Sequence, residues 1–428
     1  MKVTIVKEGE YLVFHLETDE HDNSHLNGSK ISLAKTKAHI KVGDIEIDDI
    51  PADMIGLSTI LMCHQFIGKY LELPVKVSSN FLNQANSVLS KYKIISKSSE
   101  KIERFQKPAN FRPGLAYSGG VDSCAALAIM PGNTIPVFLN RPMTKKSMYD
   151  SDAPLKSCIK LRELGYDVQI IDCDIEYLRQ PTGFPSDLAN AIPAILLAKK
   201  LGLGSISFGT VFESAYGIGH EKYIEYELGS HWRFFGTLFK AAGIKLSLPV
   251  AGISEVGTAI ITNKSPLGRY SQSCIRGKWD NPCLRCWKCF RKELLLKSLY
   301  PDKESDIEKM LYSSEVQIRL SAYPISHENV ILFSIQRIDM SENKYLKILK
   351  NRLDTKLNLN GLEKWYSPSL NLIPKKWRNK TRLKILNYLK EMSEEEQVFF
   401  QQWDMEEFLH SGETKMAHEK LTTNWQNY

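Results

Sequence analysis

The chain has no apolar run long enough to cross a bilayer. Its longest, near Ile55 to Ile67, is interrupted by His64 and Gln65. A secretory apolar core is also missing behind Met1-Lys2-Val3-Thr4-Ile5, where a charged, alternating segment follows. These two absences set the expectation of a cytoplasmic protein with no membrane partner. Charge of one sign is not in large excess: the formal net charge is +7 over 428 residues. That suits polyanionic ligands and does not by itself argue for nucleic acid. Cysteine is sparse, and four of the eight lie between Cys274 and Cys289. Without an export signal, such clustering favours a metal site over a disulfide framework. One core cannot serve this length, so two or three domains are expected.

What is present centres on Ser118-Gly119-Gly120-Val121-Asp122-Ser123. The apolar run Gly114 to Tyr117 predicts a strand before it, and Ala125 to Met130 predicts a helix after it. Adjacent glycines bring backbone N–H groups close to a ligand, and the helix start aims its unpaired N–H groups and positive dipole end at the same place. Strand, turn and helix make an anion cradle. Ser118 and Ser123 add hydroxyl donors, and the Asp122 carboxylate can hold Mg²⁺ against phosphate oxygens. The Walker pattern, Gly-x-x-x-x-Gly-Lys-Ser/Thr, is absent here.

This stretch resembles the SGGxDS signature of the PP-loop ATP pyrophosphatases and matches it at every fixed position. The resemblance implies cleavage of ATP between its α- and β-phosphates. It also implies that backbone near Leu139 and Asn140, after the second strand, holds the adenine. Strand-like segments at Thr134–Leu139, Asp167–Cys173 and Ser205–Phe208 alternate with helical ones at Leu155–Leu164 and Asp187–Lys200. Such alternation predicts an α/β fold with a doubly wound, mostly parallel sheet, HUP-like by resemblance. The 118–123 loop, Asn140-Arg141 and Gly209-Thr210 would then share the edge where strands end. In the 7-cyano-7-deazaguanine synthases a comparable loop carries an acidic residue facing the substrate, and Glu213 looks like its counterpart; a solvated loop glutamate is the alternative. Two departures stand out. Glu255 occupies the position where those synthases have lysine, and the stretch ending Pro185-Ser186-Asp187 lacks their Arg-Asn pair.

Cys274, Cys283, Cys286 and Cys289 have the spacing Cys-x8-Cys-x2-Cys-x2-Cys. Four thiolates close a tetrahedral shell, the usual arrangement of structural Zn²⁺. An iron–sulfur cluster is the rival. Arg276, Lys278, Arg285, Lys288, Arg291 and Lys292 would offset the thiolate charge. The order and spacing resemble the zinc site of the same synthases.

The expected organisation is a small β/α domain with a linker over residues 1–110, a PP-loop domain including the four-cysteine metal knuckle over 111–300, and a helical region over 301–428. Within the first unit, alternating runs including Ile45–Ile47 predict strands, residues 19–30 a loop, Ala52–Leu73 and Phe81–Tyr92 helices, and 96–110 the linker. In the last unit, helices are predicted at Asp306–Tyr312, Lys344–Leu353 and Lys380–Met392. The basic patch Pro374–Arg382 around Trp377 suits either a solvated helix face or nucleic acid. Taken with the resemblance, these features imply an adenylate-forming ligase. It would take Mg-ATP and a small-molecule carboxylate or carbonyl compound, with an amine or ammonia as second reactant. An RNA-modifying enzyme, or a non-catalytic ATP-binding subunit working with partner proteins as in anti-phage defence, is the alternative.

Overall fold

Alternating residues at the start of the chain form the hairpin β1 (Lys2–Glu8) and β2 (Tyr11–Glu17), with Gly9 at the turn in the left-handed region. Val3 opposes Leu16 and Ile5 opposes Phe14, and β3 (Lys37–Lys41) pairs antiparallel with β2. The computed structural model describes residues 1–22, 31–96, 102, 105–144, 148–219, 221–339, 344–353 and 357–426. The loop expected over 19–30 and the linker expected over 96–110 therefore lie partly outside the described residues.

The longest apolar run of the chain becomes α1 (Ala52–Cys63), buried on all sides from Asp53 onward. Its one carboxylate, on Asp53, accepts hydrogen bonds from Ser78 N–H and Oγ at 2.8 and 2.7 Å. Ser78 in turn caps α2 (Ser79–Val88). Both helices stop short of the expected Leu73 and Tyr92. The residues after them pair instead as β4 (Tyr70–Glu72) and β5 (Lys93–Ile95), parallel to β1, in a sheet of order β3-β2-β1-β4-β5. The strand expected at Ile45–Ile47 is replaced by a tight turn over Ile47–Asp49, where Glu46 and Asp49 form a reciprocal capping box.

A second sheet is wholly parallel. Its strands are β6 (Arg112–Tyr117), β7 (Ile135–Asn140), β8 (Gln169–Asp172), β9 (Leu203–Ser207) and β10 (Lys245–Ser247), in the order β10-β9-β6-β7-β8. Helices α3 (Val121–Ile129) and α4 (Asp152–Glu163) lie in the first two crossovers. Strand order reverses at β6, so a crevice opens between the carboxyl ends of β6 and β9, where ligands bind in such sheets. The single helix expected over Asp187–Lys200 is broken into turns at Ala189–Ala191, Ile192–Leu196 and Ala198–Leu201. Pro193 has no N–H to give to an ongoing helix and fits only a first turn, so the chain restarts there. Sequence reading missed β10 and three helices around it: α5 (Phe212–Tyr216), α6 (Ser230–Ala241) and α7 (Glu255–Lys264).

Beyond these the chain is helical, with α8 (Trp287–Leu299), α9 (Glu328–Arg337), α10 (Lys344–Arg352) and α11 (Lys375–Leu386) among its elements. The expected start of the last helix at Lys380 is too late, because the basic patch is itself the first turns of α11. Trp377 is buried there against Phe111, with Lys376 stacked 3.9 Å from the Phe111 ring centre. Arg378 donates to the Ile373 and Asn371 carbonyls, both at 2.8 Å, so much of this charge holds the chain's own backbone. Trp365 and Trp403 are also buried, while the side chain of Trp425 lies outside the described residues. No described helix is long and apolar enough to cross a membrane.

Candidate functional site

The stretch Ser118–Ser123 leaves the carboxyl end of β6 and enters α3. Gly119 has φ +76°, a conformation only glycine adopts without strain. Ser123 Oγ donates to the Gly120 carbonyl at 3.0 Å and lies 3.1 Å from Ser118 Oγ, which ties the two ends of the loop together. Gly209, at the end of β9, approaches so closely that a Cβ there would stand 3.2 Å from the Asp122 carbonyl carbon and the Ser123 nitrogen. Asp122 is aimed by α7, whose Thr258 Oγ1 donates to its Oδ1 at 2.8 Å, while Thr262 Oγ1 donates to the Val121 carbonyl at 3.0 Å. A cleft of about 450 Å³ opens here, walled by Ser118, Asp122, Ser123, Gly209 and Thr210. Leu139 and Asn140 end the neighbouring strand without lining this cleft. Leu139 is buried, and Asn140 Nδ2 donates to Asp172 Oδ1 at 2.7 Å.

Glu213 is neither on a solvated loop nor facing the cleft. It sits buried in the first turn of α5, and both carboxylate oxygens accept the Glu255 N–H at 3.1 Å, capping α7. Asn329 Nδ2, from α9, adds a bond at 3.3 Å. Burial first, and then the nearby Glu255 charge, pushes the Glu213 carboxyl upward. Glu255 behaves oppositely. Burial alone would raise it, but Lys292 at 3.1 Å, Arg291 at 3.2 Å and His327 at 2.9 Å outweigh that and hold it well below the usual carboxylate range. Lys292 also stands 3.7 Å from Asp122, and a Cβ on Gly120 would lie 3.8 Å from Lys288 Nζ. The acidic residue at position 255 is thus surrounded by cations, and two lysines reach the loop from α8.

The same helix begins in the cysteine cluster. The ligand atoms of Cys274, Cys283, Cys286 and Cys289 all lie within 4.8 Å of one another, and all four are free thiols. Sulfurs on a tetrahedral zinc with bonds of about 2.3 Å would sit about 3.8 Å apart. Cys283 and Cys289 are 3.8 Å apart, and Cys286 and Cys289 are 3.5 Å apart. The four can therefore hold one metal ion such as zinc. Cys286 also caps α8, accepting the Cys289 N–H at 3.4 Å. Leu284 and Asp280 take positive φ to close the knuckle. The cations expected to offset the thiolates are largely directed elsewhere: Arg276 pairs with Glu315, and Arg291 and Lys292 pair with Glu255. The other cysteines, Cys63, Cys124, Cys158 and Cys173, are buried among apolar side chains.

The model of a family of unknown function (DUF6395) matches residues 234–404. No curated protein and no solved structure matches the chain. The matched segment contains Glu255, the four cysteines, all of α8, His327 and Asn329, and it begins after the 118–123 loop and Glu213.

Sequence reasoning also missed a group at the far wall of the loop cleft. His231, in the first turn of α6, has Nδ1 2.7 Å from Tyr226 Oη and Nε2 3.4 Å from Asp187 Oδ2. The hydrogen bond from His231 holds the Asp187 carboxyl below its ordinary value. No local motif marks these three residues. The lysines of α8 did leave a signal, since positions 288 and 292 are four apart and share a helix face.

Proposed function

We propose that the chain is an ATP pyrophosphatase-type ligase with a doubly wound, PP-loop core. What carries the reading is the Ser118–Ser123 cradle at the point where strand order reverses, with Asp122 held by Thr258 and faced by Lys288 and Lys292. In this reading the pyrophosphate end of ATP rests on the loop amides and the start of α3. Mg²⁺, bound through Asp122, would neutralise phosphate charge. A substrate carboxylate or carbonyl oxygen attacks the α-phosphorus, the bond to the β-phosphate oxygen breaks, and an adenylate forms as pyrophosphate leaves. An amine then displaces AMP. Lys288 and Lys292 stabilise the charge that builds on the departing pyrophosphate. A metal held by the four cysteines would close the knuckle and root α8, and four thiolates would leave it no open position for chemistry. The test is product identity: AMP and pyrophosphate from Mg-ATP with candidate carboxylic acids support the reading, and ADP with orthophosphate overturns it.

Glu255 gives a second check. Installing the lysine that the synthases carry there would place a further cation among Lys292, Arg291 and His327 in a buried site. Glu255→Lys is therefore expected to destabilise the fold by about 3–5 kcal/mol, and the double variant with Lys292→Glu to recover part of that loss. Urea unfolding midpoints measure both. A Glu255→Lys protein as stable as the parent would remove the charge argument.

A further inference from the structure

The loop cleft does not end at Asp187 and His231. The same two residues also wall a second, wider cleft of about 950 Å³ roofed by the N-terminal unit. Aromatic rings line it: His64 packs 4.8 Å from Phe234, and His231 lies 4.5 Å from Phe235, centre to centre. Its lysine, Lys91, is exposed. Gln65 Oε1 in the wide cleft and Asn190 Oδ1 in the loop cleft are buried without a hydrogen-bond partner among the described residues. Asp187 adds an exposed carboxylate between them, with its side chain 75% accessible. An exposed carboxylate beside aromatic rings suits a ligand that carries an amine on an organic body.

At this seam Tyr226, His231 and Asp187 form a chain. With Nε2–H directed at Asp187, the lone pair of His231 Nδ1 faces the Tyr226 hydroxyl 2.7 Å away. This arrangement lets a proton leave a ligand that is bonded to Tyr226 Oη. We infer that the wide cleft receives a primary amine borne on an organic molecule, and that the amine loses its proton along Tyr226–His231–Asp187 as it attacks. The nitrogen–carbon bond forms as AMP leaves. The amine proton passes to Tyr226 Oη while the hydroxyl proton passes to His231 Nδ1, and Asp187 stabilises the imidazolium. The cleft is many times the roughly 30 Å³ taken by one small solvent molecule, so it has room for the organic body that bears the amine. The inference rests on the proposed ligase reading for the electrophile, but the amine site is tested without it.

Benzylamine serves as the probe on the full-length, metal-loaded protein, with benzyl alcohol and ammonium chloride as controls and ¹³C-labelled histidine observed by NMR. Benzylamine is expected to bind at least about tenfold more tightly than benzyl alcohol, to resist ammonium at equal concentration, and to shift the His231 titration. Asp187→Asn should weaken it about tenfold. Tyr226→Phe should keep affinity within about threefold yet reduce the benzylamine-induced His231 shift to the part that Asp187 transmits. Equal binding of amine and alcohol, no loss in Asp187→Asn, or an unchanged His231 shift in Tyr226→Phe would each overturn the inference. α,β-Methylene-ATP with Mg²⁺, added last, separates the two claims. Simultaneous binding fits both, and displacement of benzylamine assigns the cleft to the nucleotide and overturns the amine site. Failure of the analogue to bind at all, with benzylamine bound, overturns only the reading of the loop.

Discussion

Asp122→Ala is expected to lower pyrophosphate release from Mg-ATP by about a thousandfold or more while the protein stays folded. The loss is large because one carboxylate would bind the metal of Mg-ATP and also fix the first turn of α3 against the phosphates. The fold is spared because its neighbours keep other partners. Thr258 Oγ1 also donates to the Glu255 carbonyl at 3.1 Å, and Lys292 retains Glu255 at 3.1 Å. The removed side chain is partly exposed, so the stability loss should stay near about 1 kcal/mol. Asp122→Asn sharpens the comparison, since it can still accept from Thr258 but carries no charge. It should be nearly as inactive as alanine. Quantifying pyrophosphate in both variants, beside their thermal melts, checks this, and a folded Asp122→Ala protein with parental turnover would end the proposal.

The second large effect concerns the cysteines. Cys286→Ser, or treatment with a strong chelator, is expected to remove the bound metal and the cooperative unfolding of the segment it ties together. Binding energies of structural zinc sites, about 10–16 kcal/mol in small peptides, rival the whole net stability of a typical domain, about 5–15 kcal/mol. Cys286 is the most informative position because its sulfur is the cap of α8 and would also be a metal donor. Elemental analysis should find about one zinc per chain in the parent and none in the variant, with circular dichroism following the melt. Iron with acid-labile sulfide in the parent would replace zinc with a cluster.

The Ser118–Ser123 turn and the four cysteines were legible in the sequence because their chemistry is local. Glycines, loop-closing hydroxyls and thiolates lie within a few residues of the atoms they serve. Glu213 was legible as a residue and not as a role. Its partner is the backbone N–H of Glu255, far along the chain, and no side-chain pattern encodes that contact. Position 255 taken alone showed only a glutamate where the resembled synthases have lysine, whereas two of the cations that answer it come from α8. Those cations were visible, but spacing alone could not say whether they faced thiolates or carboxylates. The N-terminal helices were read too long because their apolar periodicity runs on into β4 and β5, where pairing with a distant strand prevails over propensity. β10 spans only Lys245–Ser247, too few residues to display a period.

Under the proposed reaction, rooting α8 in the knuckle would place fold integrity and phosphate recognition on one rigid rod. Lys288 and Lys292 lie within the first two turns after Cys286, so a metal fixing that end would also fix where they meet the loop. Under the proposed reaction, partial metal supply would not produce a population of half-active molecules. Each chain would be either loaded and competent or empty and silent. Turnover plotted against zinc content should then be a straight line through the origin, with the Michaelis constant for ATP unchanged along it.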